Sequence, residues 1–389
     1  MKILFIHNNY QFKGGEDLVV EEEKNLLEKN GHVIYTYFRD NKEINIYDIK
    51  KKLLFFINSI FSIKTVRDLN KILKKKNPDI AQVYNTFPLI SPSVYWVMKK
   101  NKIPVVQMIN NFRLLCINGV FLDKNAICDK CKNGNFSRGI LKKCNHDSFM
   151  ASFLYAFITL FIRKLFFNKI NIFVVSNEFV KQKYIEAGFN PEKIKIKPGF
   201  ISGKYNETKI DKGSEKYIVF IGRLSKEKGI YTLINAMKYC RDIKLKIMGD
   251  GPELNKLRKS IKDNKLENIA LMGYVSSAEK ELILRNAFFL IFPSECYENF
   301  PITILEAYKF GIPIIGSNHG AMKSLIEENV TGLHFKVTDE KDLSQKIKEL
   351  WRSPGLRERL STNAKKKIEE SFSPEYSYRI LSSIYEQFK

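Results

Sequence analysis

The stretch 288–317, FFLIFPSECYENFPITILEAYKFGIPIIGS, decides the fold. It opens with a short apolar run, which is typical of a buried parallel strand and which Pro293 ends. After a polar loop a helix is predicted, since Pro301 suits the first helical position and Gly311 suits a left-handed exit. A further strand is predicted at 312–316. This order puts the loop at the carboxyl edge of a parallel sheet, where open α/β folds bind ligands.

Two carboxylates mark this stretch, Glu298 in the loop and Glu306 in the helix, with seven residues between them. A carboxylate near a buried face needs hydrogen-bond donors, and sugar hydroxyls would supply them. The free amides at the helix start, at Ile302 and Thr303, favour a phosphate. Together these groups predict a nucleotide-sugar site. Alternatively, Glu306 lies on a solvated stripe and Glu298 is a loop charge.

The pattern of Glu298, seven residues and Glu306 within SECYENFPITILEAYKFGIPIIGS resembles the signature of family 4 retaining glycosyltransferases, the glycogen-synthase-like group. The resemblance implies the α/β class and the GT-B fold, in which two Rossmann-like, doubly wound parallel-sheet domains face a cleft. It also implies that Glu298 grips sugar hydroxyls and that Glu306 holds the ribose diol. The intervening donor-site residues would be Asn299, Phe300, Pro301, Ile302 and Thr303.

A second motif, GRLSKEKG at 222–229, follows a strand predicted at 217–221. Its Arg223 and Lys228 are spaced so that a planar guanidinium and a mobile ammonium meet a diphosphate from two sides. In the family that the chain resembles, matching residues neutralise the departing nucleoside diphosphate. The alternative is two solvated charges in a basic chain. Arg223, Lys228 and Glu298 are the predicted catalytic residues.

Three further segments, with six residues in all, complete the predicted donor site. Gly14 and Gly15 precede a helix and would let the backbone approach a phosphate, although they lack a full G-x-G-x-x-G and could form only a flexible turn. Asn110 follows the strand predicted at 105–108, where the family commonly has a His; Asn can bond a sugar hydroxyl but cannot exchange a proton near neutral pH. By resemblance, the main chain at Gly273, Tyr274 and Val275 reads the base.

The composition is strongly basic. Among 389 residues, 65 Lys and Arg oppose 42 Asp and Glu, for a net charge of +23. Such an excess suits nucleic acid, anionic membrane or polyanionic substrates, or else reflects a Lys-rich genome. No nucleic-acid reading module is recognisable, so no nucleic-acid partner is predicted. No secretory signal is recognised, which predicts a cytoplasmic protein whose six cysteines are thiols or metal ligands.

Two basic, aromatic-rich segments stand out, at 50–64 and at 149–167. Each could be an amphipathic helix that rests on anionic lipid, with Lys and Arg at the headgroups and Phe rings in the boundary. Each could equally be an ordinary core helix. Peripheral attachment at the inner face of the cell membrane would suit an enzyme whose acceptor is carried on a lipid.

Four cysteines cluster in the first half of the chain, at Cys116, Cys128, Cys131 and Cys144. They could bind a structural zinc ion, or they could be reduced thiols that pack a loop. The sequence has no Asp-x-Asp motif, through which metal-dependent glycosyltransferases of the other major fold hold the diphosphate. We therefore predict a metal-independent reaction that needs no cofactor besides the nucleotide-sugar donor.

The predicted domains are 1–201 on the acceptor side, a linker at 202–216, and a nucleotide-sugar domain at 217–372. The terminal helix, 373–389, is expected to pack back on the first domain. The predicted reaction transfers a sugar from a nucleotide-diphosphate sugar to a glycan or lipid-linked acceptor in surface polysaccharide synthesis, with retention of configuration. The alternatives are a non-enzymatic basic binder of nucleic acid or anionic lipid, and a GT-B nucleotide-sugar epimerase.

Overall fold

The computed structural model describes residues 1–11, 15–46, 49–123, 126–203 and 215–389. They form two compact units. Unit 1 comprises Met1–Val120, Asp129–Gly199 and Pro374–Lys389, and unit 2 comprises Phe121–Cys128 and Phe200–Ser373. Each unit is built around one six-stranded sheet.

The elements are numbered in chain order. The strands are β1 (Lys2–Asn9), β2 (Val33–Asp40), β3 (Ile80–Val83), β4 (Val105–Ile109), β5 (Leu122–Asp123), β6 (Ala126–Ile127), β7 (Ile172–Val175), β8 (Ile194–Ile196), β9 (Tyr217–Ile221), β10 (Lys244–Met248), β11 (Ile269–Gly273), β12 (Leu290–Phe292), β13 (Ile314–Ser317) and β14 (Gly332–Phe335). The helices are α1 (Gly15–Lys29), α2 (Ile49–Ile60), α3 (Ile63–Lys76), α4 (Ser93–Lys100), α5 (Ser137–Leu141), α6 (Phe149–Leu165), α7 (Glu178–Glu186), α8 (Ile230–Met237), α9 (Leu254–Asp263), α10 (Ser277–Arg285), α11 (Ile302–Lys309), α12 (Met322–Leu325), α13 (Glu340–Arg352), α14 (Pro354–Ser371) and α15 (Pro374–Glu386).

The sheet of unit 1 has the order β2-β1-β3-β4-β7-β8, and all its pairings are parallel. The central strands β3, β4 and β7 are buried along their whole length, as strands covered on both faces are, and Ile3 and Phe5 of β1 are fully buried. The last helix, α15, joins the same hydrophobic cluster through Leu381, Ile384 and Tyr385. This cluster is the core of unit 1.

A buried ion pair lies in unit 1. Lys197 donates from Nζ to Oε1 of Glu23, and the two side chains are 4% and 0% exposed. Tyr84 donates to the other oxygen of Glu23 at 2.6 Å, while Lys197 also donates to Ser377 of α15 at 3.3 Å. Buried charges persist only when they are paired and hydrogen-bonded, so this network links α1 and α15 to the residues that follow β3 and β8.

The sheet of unit 2 has the order β11-β10-β9-β12-β13-β14, again with parallel pairings. The chain builds outward from β9 to β11 and then returns to add β12 on the other side of β9. The neighbours β9 and β12 therefore form the topological switch point, and the crevice at their carboxyl ends is where such sheets bind ligands.

Several sequence-based expectations can be compared with these elements. Gly311 has φ of +64°, which confirms the predicted left-handed exit. Pro301 lies one residue earlier than predicted, at the N-cap of α11, and the strand expected at 312–316 is Ile314–Ser317. Both differences are boundary shifts of the usual size.

The domain boundaries also differ in detail. The antiparallel hairpin β5-β6, at 121–128, is grouped with unit 2, although the sequence places it inside the first predicted domain. Residues 374–389 are grouped with unit 1. Most of the predicted linker, 204–214, lies outside the described residues. Within the described ranges, no helix combines the length and apolarity that crossing a membrane requires.

Candidate functional site

The candidate site is built from the two loops that follow β9 and β12. The first loop runs through a short 3-10 turn, Lys226–Lys228, to Gly229, and the second runs from Pro293 to the start of α11. Because β9 and β12 are parallel neighbours, both loops emerge at the same sheet edge. The sheet topology therefore brings together two segments that lie about 70 residues apart in the chain.

Lys228 and Glu298 form an ion pair at this edge. Lys228 Nζ lies 2.6 Å from Glu298 Oε1, and the two side chains are 28% and 13% exposed. The Ser294 hydroxyl donates to the same carboxylate oxygen at 2.6 Å. Within the described residues, Oε2 of Glu298 accepts no hydrogen bond, so one oxygen of this carboxylate is available to a ligand.

Both members of the pair carry charge over a wide pH range. Burial alone would lower the pKa of Lys228 and raise the pKa of Glu298, but the opposite charge nearby outweighs it in both cases. The Glu298 carboxylate raises the pKa of Lys228. The Lys228 ammonium and the Ser294 hydroxyl lower the pKa of Glu298. The neighbouring thiol is different, because burial and the nearby Glu298 raise the pKa of Cys296 to about 12. The site thus holds one fixed positive and one fixed negative charge beside an unreactive thiol.

Close backbone packing holds the two loops together. Gly229 has φ of +68°, and a Cβ at this position would lie 1.8 Å from the carbonyl oxygen of Pro293. The Glu295 amide donates to the Glu227 carbonyl at 2.9 Å. Only glycine permits this approach, so the spacing between Lys228 and the Glu298 loop is fixed by the backbone.

The helix α11 supplies the next part of the site. Its start leaves the amides of Ile302 and Thr303 without acceptors inside the helix. Glu306 lies on its second turn, and its Oε1 is 2.5 Å from Nζ of Lys280 on α10; the side chains of Lys280 and Glu306 are 28% and 21% exposed. Glu306 is therefore neither a core residue nor part of a solvated stripe, and Lys280 provides the donor that its position requires.

The remaining predicted residues of unit 2 lie around these groups. Arg223 is exposed in the loop after β9 and makes no ion pair with a described residue. Asn299 and Phe300 are half-buried in the loop before α11, and the Phe300 ring contacts Phe372 at 5.8 Å.

The predicted base-reading edge lies at the end of β11, on the outer strand of the sheet. Gly273 has φ of +70°, and its carbonyl accepts a hydrogen bond from the Gly249 amide at 2.8 Å. The next residue, Tyr274, is 86% exposed, and Val275 is half-buried. An exposed aromatic ring at this position is able to contact a planar base.

Unit 1 contains the other predicted donor residues. Gly14 lies outside the described residues, whereas Gly15 is the first residue of α1, and no atom lies within 4 Å of a Cβ built on it. Asn110 follows β4 and lines a small cavity of about 70 Å³ that opens to solvent. Its Nδ2 is buried and has no hydrogen-bond partner. This amide is an unused donor at the carboxyl edge of the first sheet.

The structure places two further side chains at the Glu298 loop, Ser294 and His319. Imidazole Nε2 of His319 donates to the Ser294 carbonyl at 2.8 Å, and Tyr297 packs against the ring at 5.6 Å. Burial lowers the pKa of His319, so the neutral ring keeps an acceptor at Nδ1, which is buried and unpartnered. The contact between His319 and Ser294 gives no sequence signal, because it forms only where the parallel sheet brings β12 and β13 together.

The cysteine cluster has a packing role in the structure. Cys131 and Cys144 contact the apolar cluster of Ile117 and Phe136 in unit 1. All six cysteines are free thiols. Among the described residues, no three His, Cys, Asp or Glu side chains are arranged to hold a metal ion. These observations favour packed thiols, the second of the two alternatives for this cluster.

Comparison with known proteins adds sequence and structural relatives. Residues 204–367 match the family model of glycosyl transferases group 1. The chain is similar to O-antigen chain mannosyltransferase C of Escherichia coli, at 25% identity over 44% of this chain and 46% of that protein. It is also similar to the capsular polysaccharide biosynthesis glycosyltransferase CapM of Staphylococcus aureus, at 27% identity over 55% and 58%. The chain thus spans about half the length of the curated relatives that it matches.

Among solved structures, the chain is similar to the Anabaena protein HepE, whose structure is a complex with UDP. The alignment covers 100% of each chain, with a TM-score of 0.68 and 16% sequence identity. A likeness at this identity concerns the fold, and it confirms the predicted GT-B class of two Rossmann-like domains. The strand orders of the two units agree with it. Residues 204–367 are thus similar to the glycosyl transferases group 1 family, and the chain has the GT-B fold.

Proposed function

We propose that the protein is a retaining glycosyltransferase, which moves a sugar from a nucleotide-diphosphate sugar to a hydroxyl of a glycan or lipid-linked acceptor. The observation that carries this proposal is the Lys228–Glu298 pair at the switch point of unit 2. It offers a cation for a diphosphate and a carboxylate for a sugar within 2.6 Å of each other. The relatives named for O-antigen and capsule, and a fold relative solved with UDP, support this substrate class.

The diphosphate is the leaving group, and its charge has to be stabilised as the bond from the sugar C1 breaks. Lys228 and Arg223 supply positive charge, and the amides of Ile302 and Thr303 supply oriented donors. Removing one such donor should cost about 3 kcal/mol of transition-state stabilisation, on the scale of a lost oxyanion donor. Because these groups neutralise the diphosphate, the proposed reaction needs no divalent ion.

Glu298 and Glu306 would hold the two ends of the donor. Oε2 of Glu298 would accept from a sugar hydroxyl while its Oε1 keeps the Ser294 hydroxyl as a donor. The Lys228 ammonium, which has further N–H groups, would bond the diphosphate without leaving the carboxylate. Glu306 would accept from the ribose diol. His319 Nδ1 adds an acceptor beside the sugar position.

The chemical step is one substitution at C1. The bond from C1 to the diphosphate oxygen breaks, and a bond from C1 to the acceptor oxygen forms on the same face of the ring. The acceptor proton passes to the departing phosphate oxygen, so no protein nucleophile is required. Most of the rate enhancement would come from holding the two substrates in register.

Unit 1 would contribute Gly15 and Asn110 to the donor. Gly15 leaves its backbone open to a phosphate, and the unused amide of Asn110 could donate to a sugar hydroxyl. We also propose that the enzyme works in the cytoplasm, in the synthesis of a capsule, lipopolysaccharide or exopolysaccharide. All six cysteines are free thiols, as in proteins of a reducing compartment.

A transfer assay with a panel of nucleotide-diphosphate sugars and glycan acceptors tests the proposal. Lys228→Ala and Glu306→Ala should each lose about a hundredfold or more in kcat/KM. Lys226→Ala is the matched control, because Lys226 lies exposed in the same 3-10 turn, and it should keep its activity. Full activity of the first two variants would refute the site. Donor consumption that needs no acceptor would favour an epimerase instead.

A further inference from the structure

Unit 1 contains a small cavity at the carboxyl edge of its sheet. Its volume is about 70 Å³, and it opens to solvent. It is lined by Asn110, which follows β4, and by Glu16, in the first turn of α1. Pockets that hold a whole small molecule measure about 300 Å³ or more. This cavity therefore has room for about five water molecules, or for one substituent of a larger ligand.

The amide of Gln107, on the wall of this cavity, is already bonded within the protein. Its Nε2 donates to the carbonyls of Tyr84 and Met108, at 2.9 and 3.0 Å. Its Oε1 accepts from the Tyr95 hydroxyl at 2.6 Å. These bonds use both N–H groups of the amide, so Gln107 has no donor left for a ligand.

Two other polar groups of the wall keep unused bonding capacity. Asn110 Nδ2 is buried and has no hydrogen-bond partner. Glu16 accepts through Oε2 from the Tyr10 hydroxyl at 2.6 Å and from Asn111 Nδ2 at 3.3 Å. Within the part of the chain that the structure describes, Glu16 Oε1 accepts no hydrogen bond. The cavity thus offers an unused donor and an unused acceptor, and a buried donor without a partner is costly.

The charges at the cavity favour a neutral ligand group. Arg113 also lines it, and its guanidinium lies over the Tyr10 ring, with Cζ 5.2 Å from the ring centroid. One cation and the Glu16 carboxylate therefore share the wall. An acidic substituent would meet the carboxylate and a basic one would meet the guanidinium, and like charges at short range repel. A neutral substituent avoids both costs.

The cavity also has an apolar part. Met108 of β4, Leu114 and Ile158 of α6 line it, and Met108 and Ile158 are buried. Contact with such side chains stabilises a methyl group by removing it from water. The matching substituent is therefore small and neutral, and it combines an acceptor, a donor and a methyl group. An acetamido group has all three, in its carbonyl, its N–H and its methyl carbon.

We propose that this cavity binds the acetamido group of an N-acetylhexosamine. Asn110 Nδ2 donates to the acetamido carbonyl, and Glu16 Oε1 accepts from the acetamido N–H. The methyl group packs against Met108 and Ile158. This inference rests on the proposed transferase function, and it gives Asn110 a carbonyl as its partner in place of a sugar hydroxyl. A plain hexose would leave both polar groups unpaired, so the cavity selects the acetylated sugar.

Binding measurements on the full chain test the cavity and require no activity. In one series, the UDP and GDP derivatives of N-acetylglucosamine and N-acetylgalactosamine are compared with those of glucose and galactose. In the other series, the methyl glycosides of the same four sugars are compared. The acetylated sugar should bind about tenfold tighter or more in one series, which identifies it as donor or acceptor. No preference in either series would overturn the proposal, because the cavity would then hold only water.

Two variants and one analogue test the assigned contacts. Asn110→Asp replaces the amide donor with a carboxylate oxygen, and Ile158→Phe fills the apolar part of the cavity. Each should lower the preference for the acetylated sugar by about tenfold. Asn101→Ala, at an exposed position just after α4, is the matched control and should keep the wild-type preference.

The analogue is an N-propanoyl sugar, whose acyl group is one carbon longer. It should bind the wild-type protein about tenfold more weakly than the N-acetyl sugar, because the cavity is small. This measurement does not depend on the folding of a variant. Equal binding of the two acyl sugars, or an unchanged preference in folded Asn110→Asp and Ile158→Phe proteins, would refute the assigned contacts.

Transfer assays separate this inference from the proposed function. Transfer that proceeds equally well with acetylated and plain sugars, as donor and as acceptor, would refute the cavity assignment and leave the proposed function intact. Preferential binding of an acetylated sugar without transfer from any donor would refute the proposed function and support the cavity assignment.

Discussion

Lys228 Nζ lies 2.6 Å from Glu298 Oε1, although 70 residues separate them in the chain. The contact exists because β9 and β12 are parallel neighbours at the switch point of the unit 2 sheet. Each residue also satisfies the other, since a half-buried charge without a partner would be costly. The unliganded protein therefore keeps both charges in place for a ligand that carries a diphosphate and a sugar.

The Lys228–Glu298 pair should make the free energy of unfolding of unit 2 fall as the pH becomes acidic. Lys228 holds the pKa of Glu298 below its ordinary value of 4.5, against the opposing effect of burial. The pair's contribution is therefore present above pH 4.5 and is lost as the pH falls through the lowered value. We expect the unfolding free energies of the wild type and Glu298→Gln to differ most near neutral pH and to converge in acid. Denaturant unfolding at several pH values measures this.

The control for that series is Glu370→Gln, which removes an exposed carboxylate paired with Lys366 at 3.6 Å. Its stability difference from the wild type should stay within about 0.5 kcal/mol, as for other exposed pairs. A constant difference between the wild type and Glu298→Gln down to the acid limit would contradict the charged pair.

Gly229 should be irreplaceable, because it sets the distance between the two loops. A Cβ at this position would meet the Pro293 carbonyl oxygen at 1.8 Å, and φ is +68°. We expect Gly229→Ala to lower the free energy of unfolding by about 3 kcal/mol, from strain and overpacking together, and to weaken donor binding. Gly188→Ala separates the two causes, since Gly188 has φ of +87° with no atom within 4 Å of the added Cβ. It should cost only the strain, about 1–2 kcal/mol. Equal losses for both variants would argue against the loop packing.

Lys280 should act on donor binding through Glu306. Its Nζ contacts Glu306 Oε1 at 2.5 Å, and both side chains are partly exposed. We expect Lys280→Ala to raise KM for the nucleotide sugar by about fivefold with little change in kcat, since a pair of this exposure is worth at most about 1 kcal/mol. Lys262→Ala, at an exposed position on α9, is the control. A fall in kcat with unchanged KM would instead indicate a role for Lys280 in the chemical step.

The buried pair of unit 1 should matter far more for stability than for activity. Glu23→Ala would leave Lys197 buried without its carboxylate partner, and we expect a loss of about 3–5 kcal/mol. Replacing both residues, as Glu23→Gln with Lys197→Met, should recover much of that loss. Lys24→Ala breaks the exposed pair with Glu28 on the same helix and should cost less than about 0.5 kcal/mol. Denaturant unfolding of the three variants tests this order.

Much of the fold could be predicted from local sequence patterns. The apolar run before Pro293, and Gly311 at the helix exit, determine their own local conformations, and the structure has both. The carboxyl-edge position of Glu298 followed from the order of strand, loop and helix. These predictions succeeded because each depends on neighbours in the chain.

Contacts between distant segments could not be predicted in the same way. The contact of Lys280 with Glu306, and that of His319 with the Ser294 carbonyl, depend on which helices and strands become neighbours. The hairpin β5-β6 has only two residues in each strand, which is too short for an alternating pattern in the sequence. Its grouping with unit 2 could therefore not be predicted. In each case the information lies in the tertiary packing, which a single sequence does not display.

A crystal structure of the protein with a bound nucleotide-diphosphate sugar tests the proposed site most directly. We expect the diphosphate within hydrogen-bond distance of Lys228, Arg223 and the amides at Ile302 and Thr303, with Glu306 on the ribose and Glu298 on the sugar. A donor bound elsewhere, with Lys228 and Glu298 still paired only with each other, would contradict the proposed function.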